Sequence, residues 1–490
     1  MDEYKKKSVV IIGAGPAGLA AGFELIKTKK FNLSILEKNE IVGGLSRTTD
    51  YNGCKFDIGP HHFITQSDFV EIWWKEVMKG EVVFGNRFVQ LRRFTRIYYK
   101  KHFFYYPLQP LNALLGLSLF ESIRCVLSYI KVRLFPIKKV ETFQDWVTNK
   151  FGYRLFSIFF KTYTEKVWGI PCTQISADWA SERIKGFSLS KAIFYAFFGK
   201  WFKKNAPRTL SDSFYYPELG AGTLWEKVAN NIESDFSAKI NLNSNVVQIK
   251  HENNKIISVL TCDSKLSKNI AIKLDAHHGD YFFSTMALRD LVLSLDPLPD
   301  EQVINAAKEL VYRGLITLNY VINKSDISSD HWIYVHEKEV LMGRIGNMNN
   351  FSLKMVDNPN HTALSLEYFD YVGSSFWNKT DAELLEIGKN ELEKIAFVKK
   401  DLILDGMVLR ETQAYPVYDK NYKESLKIVI DYLSKFPNLY LMGRNGLHKY
   451  NNMDIAMISA FKVVDELIKK ENINKELNFN NNIKEKSVNL

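Results

Sequence analysis

Residues 9–47 constrain the fold more than any other stretch: VVIIGAGPAGLAAGFELI is followed by SILEKNE and then by VGGLSR. Val9–Ile12 is an apolar run long enough for a buried strand. It breaks into Gly13-Ala14-Gly15-Pro16-Ala17-Gly18 before a helix-like stretch that reaches about Thr28. A second apolar run, Leu33–Leu36, ends on Glu37, with Lys38 next. The order is strand, G-x-G-x-x-G, helix, strand, acid. In such a unit the first glycine permits the tight turn and the second lets a pyrophosphate approach the backbone. The third lets helix and strand pack closely. The helix start offers unpaired N–H groups and a positive dipole end to phosphate. Glu37 stands at about the 20-residue spacing at which a carboxylate grips ribose hydroxyls and repels the extra phosphate of NADP. The segment predicts a dinucleotide-binding βαβ unit.

A second backbone-exposing loop, Gly43-Gly44-Leu45-Ser46-Arg47, follows the acid within a few residues. Two such loops so close together suit a larger cofactor whose far half also needs close approach. This favours FAD over NAD. The run resembles that of flavoproteins of the amine oxidase, protoporphyrinogen oxidase and UDP-galactopyranose mutase type, where the double-glycine segment belongs to the FAD site. Phe56-Asp57-Ile58-Gly59-Pro60-His61-His62-Phe63 is similar to the stretch that runs toward the isoalloxazine in this family. The resemblance implies cofactor contacts from Gly13, Ala14, Gly15, Pro16, Ala17, Gly18, Glu37, Lys38, Gly44, Leu45 and Ser46.

At 490 residues the chain exceeds one simple core and predicts two or three domains. Its 46% apolar content excludes a disordered chain. Cys54, Cys125, Cys172 and Cys262 form no C-x-x-C pair. That fits a reducing compartment and argues against zinc or iron–sulfur ligation, so no metal is expected. MDEYKKK leads into a strand without a signal-peptide pattern. No uncharged apolar run reaches the ~18 residues of a spanning helix. A cytoplasmic protein is expected. The net charge of +10 is read as lysine-rich composition, since no nucleic-acid module stands out. Residues 111–135 and 186–203 mix Leu, Phe and Tyr with Lys and Arg. Buried helices of a substrate domain fit them, and so does peripheral membrane contact.

The organisation predicted is α/β: a doubly wound, Rossmann-like FAD-binding domain with an inserted helical domain and an antiparallel-sheet substrate domain. Residues 1–65 begin the FAD domain and 66–205 read as a mainly helical insertion. Residues 206–300 return to the FAD domain through Gly220-Ala221-Gly222 before a helix and the strands Asn245–Ile249 and Tyr281–Thr285, with Val247 a cofactor candidate. Residues 301–430 alternate as antiparallel strands at Arg313–Ile322 and Ala363–Phe369. Residues 431–470 close the FAD domain, and 471–490 read as a fraying, asparagine-rich tail. There is no second G-x-G-x-x-G, so an external reductant (NADPH, NADH or a reductase) would have to share the site or come as another protein.

Three further segments narrow the resemblance. Tyr163-Thr164-Glu165-Lys166-Val167-Trp168-Gly169 is similar to the mutase Y-T-x-K-Q-W-G, with Val167 for glutamine. Arg183, and Arg313 in Tyr312-Arg313-Gly314-Leu315, resemble the arginines that mutases place on the substrate diphosphate. Gly443-Arg444-Asn445-Gly446-Leu447-His448-Lys449-Tyr450-Asn451-Asn452-Met453-Asp454 resembles the mutase ending G-R-x-x-x-Y-x-Y-x-x-M-D. The resemblance implies FAD contacts from Gly443, Arg444, Asn452, Met453 and Asp454. It implies substrate contacts from Trp168, Arg183, Arg313, Arg344, Tyr415 and Tyr450, and catalytic roles for Arg183, Arg313 and His61. Guanidinium forks suit a diphosphate, and a helix starting at Met453–Asp454 would favour an anionic reduced flavin. The alternatives are ordinary ones: a core aromatic for Trp168, a solvated helix face for Arg183, ion pairing for Arg313 and a satisfied structural imidazole for His61.

Two departures stand out. Mutase G-x-H-x-F-H-T reads Gly59-Pro60-His61-His62-Phe63-Ile64-Thr65 here, and His448 replaces the first tyrosine of the C-terminal motif. The expected function is pyranose–furanose isomerisation of a nucleotide sugar by reduced flavin, in surface-polysaccharide synthesis. The alternative is an oxidoreductase of the amine oxidase or protoporphyrinogen oxidase type. A flavin-carrying structural protein is a third reading.

Overall fold

The computed structural model describes residues 6–79, 86–108, 112–113, 116–179, 213–265 and 273–473. Among them, a parallel sheet carries the dinucleotide unit. Its order is β20 (Leu439–Leu441), β13 (Tyr281–Ser284), β1 (Lys7–Ile12), β2 (Phe31–Leu36), β9 (Ala238–Asn241). Every pairing in it is parallel, so both faces must be covered. Alternate residues of β1 divide between the two sides. Val9 and Ile11 face helices α1 (Pro16–Ile26), α6 (Gly222–Glu233) and α7 (Met453–Lys470), which contribute Leu25, Ile232 and Val464. Val10 and Ile12 face a four-stranded sheet and the helices Glu301–Glu309 and Tyr422–Leu433.

The second body is a seven-stranded sheet, β19 (Ile403–Pro416), β15 (Tyr312–Ile322), β18 (Thr362–Asp370), β17 (Arg344–Asn347), β16 (Trp332–Val335), β6 (Thr95–Tyr99), β7 (His102–Tyr105). It is antiparallel except where β16 lies parallel to β6. Strand β15 is buried along its whole length. Its even positions Ile316, Leu318 and Tyr320 pack with Leu384 and Leu392 of the helix Asp381–Lys394.

Among the described residues of 66–205, helices are accompanied by three strands that the sequence pattern does not predict. Helix α2 (Asp68–Met78) packs into the dinucleotide core, and Trp73 Nε1 donates to the buried Glu24 carboxylate at 2.9 Å. Strand β5 (Phe88–Arg92) pairs with β8 (Ser213–Pro217), while β6 and β7 extend the seven-stranded sheet. The helical part is α3 (Leu119–Leu134), α4 (Phe143–Phe151) and a further run that ends in α5 (Thr162–Trp168). The strand Asn245–Ile249 belongs to β10 (Ser244–Glu252), in the four-stranded sheet instead of the parallel one. Residues 474–490, most of the tail expected to fray, lie outside the described residues.

Candidate cofactor and substrate cavity

A single cavity of about 2650 Å³ runs along the carboxyl ends of β1 and β2 and on into the region between the two bodies. Its first end is built by the glycine turn. Gly13 has φ +101°, and a Cβ there would lie 2.1 Å from Thr285 Oγ1. A Cβ on Gly18 would strike the Gly13 carbonyl oxygen at 1.9 Å, so α1 can start this close to β1 only with glycine at that position. Gly18 therefore shapes the turn from beneath and does not line the cavity. Gly44, at φ +52°, brings the second loop against the first: its Cβ would sit 3.1 Å from Gly15 Cα. Helix α1 begins at Pro16 with no side-chain cap and no acid in its first turn. The backbone there has N–H groups to offer to an anion.

Glu37 is buried and lines the same end. One of its carboxylate oxygens accepts from Ala14 N–H at 2.8 Å, and the other from Asn39 N–H at 3.0 Å and Asn39 Nδ2 at 2.7 Å. Ala14 thus orients the acid without reaching the wall. Lys38, Leu45 and Ser46 line the cavity, as do Gly13, Gly15, Pro16, Ala17 and Gly44. Val247 does not. It is 39% exposed, because β10 shifts register between Val246 and Gln248 and turns Val246 inward in its place.

The middle of the cavity collects the C-terminal motif. Gly443, Arg444, Asn452, Met453 and Asp454 line it, and α7 starts there without a side-chain cap hydrogen bond. Arg444 Nε donates to the Asn451 carbonyl and Nη1 to the Ala414 carbonyl, both at 2.9 Å. Its guanidinium lies 5.0 Å from the Tyr450 ring centroid and 5.6 Å from that of Tyr415. Those rings stack at 5.4 Å and 15°. Opposite, Arg344 Nε donates to Glu367 at 2.7 Å, and a second guanidinium contact completes the ion pair with this fully buried carboxylate. His61 also lines the cavity, with Nε2 3.0 Å from the Ile58 carbonyl oxygen. Burial and then the nearby Arg444 push its pKa down to about 4, so the ring is neutral at physiological pH.

Beyond this lies an aromatic chamber, walled by Tyr106, Phe143, Phe159, Phe160, Tyr163, Trp179, Trp332 and Tyr334. Tyr163 stacks on His336 at 5.4 Å and 5° and meets Tyr334 edge-on. Arg93 is the guanidinium on this stretch of wall that sequence reasoning missed. It follows β5, whose strand character the dense charge and aromatic content of residues 86–105 conceals.

Two expected substrate residues sit elsewhere. Arg313 is 4% exposed and off the wall. Its Nε donates to the Val167 carbonyl at 3.2 Å. Nη2 donates to the Lys166 carbonyl at 3.1 Å and to the Phe369 carbonyl at 2.5 Å, while Asp370 stands 3.6 Å from Nη1. Gly169, at φ +68°, makes room: a Cβ there would lie 2.5 Å from the Arg313 guanidinium carbon. Trp168 is fully buried and packs edge-on against Trp179 and Tyr450. Trp168 and Arg313 are therefore packed inside the protein, while Tyr163, Thr164 and Leu315 of the same two segments line the cavity. Arg183 lies outside the described residues.

The donor set fits a dinucleotide with a bulky second half. Two abutting glycine loops, a ribose-end carboxylate and two helix N-termini line one cavity. Residues 11–77 match the family model described as an NAD(P)-binding Rossmann-like domain. Among curated proteins, the chain is 44% identical over 54 residues to a 4,4'-diapophytoene desaturase of Methylomonas sp, covering 11% of this chain and 10% of that one. It is 44% identical over 57 residues to a 1-hydroxycarotenoid 3,4-desaturase of Flavobacterium sp. (strain P99-3), covering 12% of each. The chain thus spans about a tenth of the length of the curated relatives it matches. A crystal structure of reduced UDP-galactopyranose mutase is similar with a TM-score of 0.76 at 20% identity, covering 96% of this chain and 97% of that one. A provisionally named protoporphyrinogen oxidase from Exiguobacterium sp. 255-15 gives 0.70 at 16% identity, covering 95% and 99%. At these identities the likeness establishes the fold: the chain has the mixed α/β architecture, built around a Rossmann-like dinucleotide domain, that these two structures share.

Proposed function

We propose that the chain is an FAD-dependent oxidoreductase acting on an organic substrate held in the aromatic chamber. One observation carries the reading: the double-glycine cradle and the α7 N-terminus open into the same cavity as the aromatic wall. When bound, FAD supplies hydride or electron exchange. Gly13, Gly15, Pro16 and Ala17 with Gly44–Ser46 would hold its pyrophosphate region, and Glu37 its ribose. The uncapped α7 start favours negative charge beside it. The Tyr415–Tyr450 stack and the chamber rings orient an apolar or partly aromatic substrate and exclude water. His61, neutral and held by backbone hydrogen bonds at Ile58 and Leu45, is one of the titratable side chains on the wall that could hold a proton, with Tyr415 and Tyr450.

A second reading, pyranose–furanose isomerisation of a nucleotide sugar, is favoured by Arg344 and Arg444 flanking the stacked tyrosines on the cavity wall. Two facts tell against it. Arg313 is committed to three backbone carbonyls, and Trp168 is buried behind Tyr450. This reading requires an external reductant, NADPH, NADH or a reductase, to prime the flavin.

An anaerobic titration separates the two. Bleaching of the oxidised flavin by an unsaturated or amine substrate, with oxidised product recovered, is the expected result. Conversion of UDP-galactopyranose to the furanose only by dithionite-reduced enzyme, with no net oxidation, would replace it with the mutase reading.

A further inference from the structure

Helix α3 is folded against the grain of a soluble protein. It is well formed: the Ser118 hydroxyl caps its start, and Lys131 and Arg133 stand in its last turn. Yet its buried residues are Ser122, Cys125 and Val132, while Leu119, Ile123, Leu127, Ile130 and Leu134 are 47–78% exposed. The spacing i, i+4, i+8, i+11, i+15 puts these five on one outward stripe. Phe120 at 67% and Phe135 at 74% widen it. A monomer in water rarely leaves a contiguous apolar patch of this size uncovered.

The charge around the stripe is mostly positive, with acids nearby at Glu121 and at Glu337, whose carboxylate accepts from Lys100 N–H. The helix carries Arg124, Lys131 and Arg133 and a single acid, Glu121, which is ion-paired with Arg154. The β6–β7 turn adds Lys100, close enough to act electrostatically on Glu121, and Lys101 beside it. Arg124 lies over the Phe120 ring at 4.8 Å and Arg133 over Tyr129 at 5.0 Å. Stems along apolar faces with cationic heads at the rim suit a boundary between hydrocarbon and anion. A two-fold contact between copies would set these cations against one another. No helix of the described residues is long and apolar enough to cross a membrane.

We propose that α3 is a docking face for an anionic phospholipid bilayer, with the stripe in the headgroup–acyl boundary and the cations on lipid phosphates. This surface stands independently of the reaction assigned above. It is nonetheless contiguous with the chamber: α3 packs on α4 and on Tyr153–Phe156, and Phe143 of α4 and the 43%-exposed Tyr106 line the cavity.

Sedimentation of the full-length chain with sucrose-loaded vesicles tests it, using phosphatidylcholine alone and phosphatidylcholine with phosphatidylglycerol. The expected result is binding to the anionic vesicles, weakened by salt and lowered at least about tenfold by Leu127→Asp with Ile130→Asp, at unchanged flavin content and melting temperature. A charge variant, Arg124→Glu with Lys131→Glu, should give a similar loss. Equal sedimentation of wild type and both variants would overturn the assignment to α3. Absence of wild-type binding would overturn it too. A dimer dissociated by the aspartates would then make a second copy the occupant, and a fall in melting temperature of a monomer would make it residues 180–212 of the same chain.

Discussion

Glu37 does two jobs with one carboxylate. It satisfies the buried Ala14 N–H at 2.8 Å and presents itself to the ribose end of the cavity. Glu37→Ala should therefore lower the flavin-to-protein ratio of purified protein and also cost the apo chain about 1–3 kcal/mol, the range for an orphaned buried donor. Denaturation of apo and holo forms reads both effects. Arg313 gives the opposite signature. Arg313→Ala removes three carbonyl contacts and leaves Asp370 without its guanidinium, so about 3 kcal/mol of stability should be lost. The folded fraction should keep its flavin spectrum. Unchanged stability with weakened nucleotide-sugar binding would return Arg313 to the substrate. Buried imidazoles set the acid limit. Burial pushes His336 down to about 3 and His448 to about 4. Both folded values lie below the unfolded one, so the native state binds fewer protons. The stability they contribute is present above about pH 6.5 and is lost as pH falls toward 4, at up to about 2 kcal/mol per group by pH 5. His448 sits at φ +47°, a conformation asparagine tolerates. With His61 also held down to about 4, His448→Asn should shrink the drop in melting temperature from pH 7 to pH 5 by at most about a third.

At the scale of elements, the start of α1 separates two glycines that look alike in sequence. A Cβ on Gly15 meets nothing nearer than Gly44 Cα at 3.8 Å, whereas one on Gly18 strikes the Gly13 carbonyl. Gly15→Ala should leave the fold intact and empty the site, while Gly18→Ala should lower the melting temperature of the apo chain itself. Flavin content and apo melting, measured side by side, check this. The β1–α1–β2 unit was legible because its signals are local: period, glycine spacing and a closing acid lie within 30-odd consecutive residues. The β15 and β18 alternation was legible for the same reason. Strand β5 was not, because its partner β8 lies more than 100 residues away, and the β6–β7 hairpin was hidden because its turn is Lys100-Lys101, with neither glycine nor asparagine to mark it. Val247 was misplaced by one residue because a bulge inverts facing without leaving a mark in composition. Trp168 and Arg313 failed differently. An arginine that holds carbonyls and one that holds a diphosphate use the same fork, and only burial tells them apart.

For the whole molecule, the two bodies share one cavity wall, with Leu45 and Ser46 from one side and Arg344 and Tyr415 from the other. A ligand bound there couples them. FAD at 100 times its dissociation constant should stabilise the native state by about 2.7 kcal/mol. Thermal melts with and without FAD should show a single transition moving upward, not a split one.

The parallel sheet also has a timing consequence. Its strands come from residues 7–36, 238–241, 281–284 and 439–441, and the helix that completes the cavity ends at Lys470. During translation the ribosome releases the glycine turn first and its last partners more than 400 residues later. Once β13 has emerged its outer side lacks β20, and the face of α1 that packs on α7 stays uncovered until residues 453–470 follow. The complete cofactor cavity therefore forms only once residues 439–470 have been made.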